Sequence, residues 1–340
     1  MVKSFNLDRH WTSIADSVTE IANIHMHKGV FQRGELTEEL EERIAQVAGK
    51  RYCKTYGSGT AALAQGLRNL NLPTNSEVLV PAYTFLATAS AVSLAGLRPV
   101  FVDVDDFYHI DLKDAENKIS NNTQVLIYVT LLGSPARQDI GDWCKQHNLL
   151  LVEDAAQSFG APHSDSVFSM LSFSPTKPCT SFGSGGAILT DCLGIARNAE
   201  LGRLHGKRKN DDVTTVLSVN SVMSTHEVAS VLVNLDLLEE HAQKRRAIAY
   251  EYIRELAGVV EFAKYRKGTT YSKFVIHHVN RDSMPGTVHY RVLPPQEKIY
   301  NAELPANCAR LQSISKTLPN CAYMTDQEVE SIIKAVKAVA

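Results

Sequence analysis

The chain has 340 residues, more than one hydrophobic core normally holds, so a large domain with a smaller companion is expected. Its 35 Lys and Arg are interspersed with 37 Asp and Glu, a formal net charge of −2 that argues against a nucleic-acid groove as the main function. Six scattered cysteines form no CxxC pair and no metal-ligand spacing, and no apolar run approaches the ~18 residues of a membrane span, so a soluble, cytoplasmic protein without a metal site is expected.

In chain order, residues 11–24 carry Ile14, Val18, Ile21 and Ile24 at helical spacing, which predicts a packing helix within an N-terminal arm, 1–34. A charged helix over 36–48 stops at Gly49. From Tyr52 onward, short β-branched runs at 52–56, 77–81, 99–103, 124–130 and 149–153 alternate with helical patterns near 61–70, 84–95, 111–118 and 137–147. Such alternation builds crossover units on a mainly parallel sheet, an α/β fold whose functional groups collect at the carboxyl ends of the strands. A helix over 193–204 and a long amphipathic helix over 225–256 follow, the second linking a large domain (35–235) to a small one (236–340). Strands at 273–279 and 287–292 and a closing helix from Thr325 complete the expectation.

Chemistry concentrates between Leu149 and Ile188. The apolar run Leu149–Leu150–Leu151–Val152 ends on Glu153 and Asp154, which must point to opposite faces of a strand, so one of them can face a pocket. Lys177 sits in a Ser/Pro/Thr-flanked turn after the apolar segment 167–173. A carboxylate and a lysine at neighbouring strand ends are what a pyridoxal phosphate (PLP) site requires: the amine binds the cofactor covalently, and the acid keeps the pyridine nitrogen protonated. Gly57–Ser58–Gly59–Thr60 stands between a strand and a helix, where free amides and the macrodipole can seat a phosphate. The glycines at 183–186 read instead as a tight turn.

Six motifs occur in order: SGTAAL at 58–63, VPAYTFLATA at 80–89, PVFVDVD at 99–105, VEDAAQSFGA at 152–161, SFSPTK at 172–177 and GSGGAILT at 183–190. Through them the chain, from about Gly29 to its end, resembles the DegT/DnrJ/EryC1/StrS family of PLP-dependent sugar aminotransferases. The resemblance implies a PLP-dependent transferase of fold type I, with a mainly parallel seven-stranded sheet flanked by helices in the large domain and a smaller C-terminal α/β domain. It implies Lys177 and Asp154 as catalytic residues. It assigns Ser58, Gly59, Thr60 and Ser172 to the cofactor phosphate, Phe85 rather than Tyr83 to the ring face, and Gln157 to the phenolic oxygen. Asn220 matches an asparagine that reaches the other subunit's phosphate, which implies a homodimer with shared sites, although Val222 stands where the family commonly has arginine. The implied reaction moves an amino group from an amino acid, glutamate by resemblance, to a nucleotide-linked keto-sugar. Two alternatives stand beside it: a PLP-dependent dehydratase or lyase on the same fold, and a non-catalytic PLP-binding regulator. The loops at 161–166 and 281–289 are shorter than those of relatives, and such loops often make substrate contacts.

Overall fold

The computed structural model describes residues 2–207, 214 and 218–340. Two helices open the chain, α1 (Leu7–Met26) and α2 (Glu35–Ala48), the second closed by Gly49 in the left-handed conformation at φ 64°. The alternating region then runs β1 (Tyr52–Tyr56), α3 (Gly59–Arg68), β2 (Glu77–Pro81), α4 (Leu86–Leu94), β3 (Arg98–Val102), α5 (Leu112–Asn117), β4 (Thr123–Val129), α6 (Ile140–Gln146), β5 (Leu150–Asp154), β6 (Phe168–Ser172), β7 (Gly186–Thr190) and α7 (Leu193–Gly202). After α8 (Thr225–Asp236) and α9 (Leu238–Leu256) come β8 (Glu261–Phe262), β9 (Phe274–His277), α10 (Ala306–Ile314), β10 (Ser315–Leu318) and α11 (Asp326–Lys337). No helix among the described residues is long and apolar enough to cross a membrane.

The main sheet has seven strands in the order β1-β7-β6-β5-β4-β2-β3. β6, β5, β4, β2 and β3 are mutually parallel, and β7 runs antiparallel to both β1 and β6. Continuous apolar runs such as Val125–Val129 suit this arrangement, because a parallel sheet is buried on both faces. Successive residues accordingly feed different cores. Val78, Val80, Val125 and Ile127 pack with Leu63 and Leu67 of α3 and with Val92 of α4. Leu79, Leu126 and Leu151 pack with Ile140 and Cys144 of α6. Toward the β1 end, Leu171, Ala187 and Leu189 meet Ile14, Val18, Leu40, Val228 and Leu232 of α1, α2 and α8. The predicted N-terminal helix is thus a packing helix of this core.

Two sequence expectations need correction. The helix over 225–256 is two helices that meet at Leu237. On one side of that residue Val228 and Leu232 belong to the main core; on the other, Ala249 and Tyr252 join Ile332 and Ile333 of α11. No Gly or Pro marks the break, and Leu238 still packs with Val228 and Leu232 beyond it. The segment 287–292 is not a strand: only Thr287 bridges to Thr317. The antiparallel small sheet has the order β10-β9-β8, so its outer places go to Ser315–Leu318 and the short Glu261–Phe262. His289 and Tyr290 pack against Tyr83 instead of pairing in that sheet.

Candidate active site

The carboxyl ends of β1, β5 and β6 share one edge of the sheet, and three of the sequence motifs arrive there together. On β5 the pleat sends the two acids apart. Oε2 of Glu153 accepts from the Ser169 hydroxyl at 2.8 Å, from the Ser164 amide and hydroxyl at 3.1 Å each, and lies 3.2 Å from Nδ1 of His163. Burial would raise this carboxyl, but His163, Ser169 and the Ser164 amide outweigh it and hold Glu153 below the usual carboxylate range. Glu153 is therefore committed to the protein interior. Asp154, on the other face, accepts from Thr88 Oγ1 at 2.8 Å and from the Ala156 amide at 3.1 Å, both neutral donors. Burial raises its carboxyl, opposed by those two hydrogen bonds and by the charge of Lys177.

Lys177 follows β6 in a turn closed by its own amide donating to the Ser174 carbonyl at 3.0 Å. Burial pushes its amine below the ordinary lysine value, and Asp154 only partly opposes the shift. An amine whose charged form burial disfavours and a buried carboxylate thus face one space.

The third motif supplies the N-terminus of α3. Ser58 caps it, its hydroxyl accepting from the Ala61 amide at 3.1 Å, and the amides of Gly59 and Thr60 head the first turn, where intrahelical acceptors are missing. Glycine is needed here for close approach. A Cβ on Gly59 would lie 3.0 Å from Met170 Sδ and from Ser172 Cβ, and one on Gly186 would lie 2.5 Å from the Gly59 nitrogen. The helix start rests on β6 and β7, beside Ser172.

Two aromatics of the motif at 80–89 separate. Tyr83 is only 1% exposed and stands edge-on to Tyr108 at 5.0 Å, whereas Phe85, just before α4, is 58% exposed. Gln157 is held by both ends: its Oε1 accepts from the Leu132 amide and its Nε2 donates to Tyr290 Oη, each at 3.0 Å. Ser58, Gly59, Thr60, Phe85, Asp154, Gln157, Ser172 and Lys177 all line one cavity of about 170 Å³. Thr88 and Tyr290 line it too, and the sequence reading had not named them as site residues. Thr88 had a local signal, one turn into the helix after Phe85, and Tyr290 ends the stretch 286–290, which resembles the family's small-domain motif ending in His-Tyr. Asn220 is not in this cavity. It is exposed, bridges Leu204, and borders a separate surface pocket with Gln32 and Arg33.

The donor set fits PLP. A buried carboxylate with only neutral hydrogen-bond donors has room for a cationic ring nitrogen, the helix N-terminus beside Ser172 suits a phosphate, and an exposed ring, Phe85, borders the space between.

The profile of the DegT/DnrJ/EryC1/StrS aminotransferase family matches residues 13–337. The UDP-2-acetamido-2-deoxy-3-oxo-D-glucuronate aminotransferase of Pseudomonas aeruginosa is 30% identical over 312 residues, 86% of this chain and 87% of that protein. The dTDP-3-amino-3,6-dideoxy-alpha-D-galactopyranose transaminase of Aneurinibacillus thermoaerophilus is 26% identical over 94% of each chain. Among solved structures, DesV of S. venezuelae superposes with a TM-score of 0.93 at 25% identity, covering 99% of this chain and 98% of its own. NtdA of Bacillus subtilis, with bound PMP, gives 0.92 at 26% identity over 99% of this chain and 85% of its own.

Proposed function

As this chain belongs to the DegT/DnrJ/EryC1/StrS aminotransferase family and is a PLP-dependent aminotransferase of fold type I, we propose that it moves an amino group from L-glutamate to a nucleotide-linked keto-sugar. Relatives named as UDP- and dTDP-sugar aminotransferases support the acceptor class. They favour transfer over a dehydratase or lyase reaction, as does a lysine at 177.

Bound PLP supplies an electron-accepting ring and a carbon that takes up an amine and releases it. In our reading the amides of Gly59 and Thr60, with Ser58 and Ser172, hold the phosphate, where the α3 dipole favours negative charge. Phe85 covers one face of the ring, and Gln157, its orientation set by Leu132 and Tyr290, donates to the phenolic oxygen. Asp154 keeps a proton on the ring nitrogen, since a carboxylate stripped of water favours a neighbouring cation. Lys177 does the proton work. Its amine, whose proton burial makes easier to lose, takes a proton from the reacting carbon of the donor and returns it during the second half of the cycle. Thr88 holds Asp154 in place.

Asn220 acts in this reading at the partner subunit's phosphate, which makes a homodimer the working unit. Its exposed position, outside its own chain's cavity, supports that role. The cytoplasm suits the chain, whose cysteines are free thiols among the described residues. The single observation that carries the proposal is the pairing of Lys177 with a buried, neutrally solvated Asp154 across one cavity. Holoprotein should absorb in the visible, lose that band on adding glutamate, and yield a borohydride-fixed cofactor on Lys177 in peptide mapping. Recovery of the label on another lysine would overturn it.

A further inference from the structure

A second cavity, of about 270 Å³, shares Phe85, Gln157, Lys177 and Tyr290 with the first and extends to Phe5, Ser272, Lys273 and His289. No aspartate or glutamate lines it, nor does one line a small adjoining pocket bordered by Lys177, Arg245 and Ser272. Lys273 immediately precedes β9. Its amine lies 3.5 Å from the Thr176 carbonyl oxygen and 3.9 Å from the centroid of the Phe5 ring. Lys273 is half-buried and lines the cavity.

The surroundings are electropositive and incompletely paired. Burial, reinforced by the charges of Lys177 and Arg245, pushes the Lys273 amine well below its ordinary value. Burial and the same two lysines hold His289 down to about 3. Ser272 Oγ, His289 Nε2 and Arg245 Nη2 are buried and find no hydrogen-bond partner. A buried cation without a counter-charge is costly, and so is a buried polar atom without a partner. An anion in this cavity would give Lys273 the counter-charge it lacks, and a small shift of Ser272 or His289, which also line it, would bring a hydrogen-bond partner to each.

We propose that Lys273, supported by Ser272, His289 and Arg245, forms a carboxylate subsite beside Lys177 that holds the acid group of a substrate while its amine is exchanged. The proposal rests on the aminotransferase reading above. In an amino-acid donor the carboxylate is one bond from the carbon that gives up its amine, so a cation lining the same cavity as Lys177 can receive that group. A uronic-acid acceptor carries the same group at greater distance from its keto carbon.

Calorimetric titration of the holoprotein tests this with glutarate, which has the carboxylates of the donor and no amine to transfer, with its neutral counterpart glutaramide, and with D-glucuronate. Glutarate should bind the wild-type protein at least 10-fold more tightly than glutaramide, and Lys273→Met should weaken glutarate by about 10- to 100-fold, the worth of one charged hydrogen bond. The same pattern with glucuronate alone would support the subsite and assign the carboxylate to the acceptor. If neither acid binds more tightly than glutaramide, or if both bind Lys273→Met as well as wild type, the subsite is refuted. The wild-type comparison stands even if the variant does not fold. Failure of the aminotransferase reading shows separately, as loss of the visible band and of the borohydride label on Lys177.

Discussion

Asp154→Asn and Glu153→Gln each remove one negative charge from adjacent, buried positions of β5, yet they should fail in different assays. Asp154 faces the cavity; in asparagine the oxygen can keep the Ala156 amide, now at 3.1 Å, while the side-chain amide donates to the Thr88 hydroxyl, now at 2.8 Å, which can turn to accept. What is lost is the charge beside the ring nitrogen. An opposite charge within about 4–6 Å shifts a pKa by roughly 1–3 units, so its removal lowers the protonated share of that nitrogen by about 10- to 1000-fold. The glutamate half-reaction, followed by absorbance of the holoprotein, should slow by that factor. Apo Asp154→Asn should melt no earlier than wild type, because burial already disfavours the Asp154 charge. Glu153 instead anchors His163, Ser164 and Ser169. Breaking such a buried charged network costs about 3–5 kcal/mol, so Glu153→Gln should lower the Tm by several degrees while leaving the half-reaction rate per bound cofactor within a few-fold of wild type. Equal rate losses in the two variants, or an Asp154→Asn protein that melts as early as Glu153→Gln, would mean that the two faces of β5 have been assigned the wrong way round.

Gly186→Ala would place a methyl group 2.5 Å from the Gly59 nitrogen, backbone against backbone. Overpacking of this kind costs about 1–3 kcal/mol, and PLP affinity measured by equilibrium dialysis should fall, whereas unchanged affinity would remove Gly59 from the phosphate seat. Acidification should destabilise the fold: burial holds His10 and His241 to about 4 and His109 to about 3, all below their ordinary 6.5. The folded state refuses protons that the unfolded chain accepts, so this contribution is complete above pH 6.5 and shrinks as pH falls toward 4, by about 1.4 kcal/mol per pH unit for each histidine. Urea midpoints that stay flat from pH 7 to pH 5 would refute it. A purified heterodimer of one Lys177→Ala subunit and one Asn220→Asp subunit should keep about half the activity if Asn220 serves the partner's site, because both lesions then fall in one site; near-zero activity would place Asn220 in its own chain's site.

Local pattern carried much of the architecture. Short β-branched runs alternating with helical periodicity specify crossover units, and a strand buried on both faces must be apolar throughout, so four of the five mutually parallel strands could be read from residues 77–154 alone. The acids at 153 and 154, the glycine-bearing turn at 57–60 and Lys177 were equally visible, because each lies at the end of an element whose direction the pattern already sets. Packing between remote segments decided the rest. The helix breaks at Leu237 with no Gly or Pro to mark it, and the core it serves changes only further on, from Leu235 and Leu238 to Ala249 and Tyr252. The strand expected at 287–292 shrinks to a single bridge from Thr287 to Thr317 of β10, while the third strand of the small sheet is Glu261–Phe262, a pair too short to show any periodicity. Tyr290 reaches Gln157 across 133 residues, and Lys273 reaches Thr176 across 97. A lysine before a β-strand looks, in sequence, like any solvated charge; only the folding of the C-terminal segment back over the sheet edge encloses it beside Lys177, and burial among cations is what gives it a chemical role.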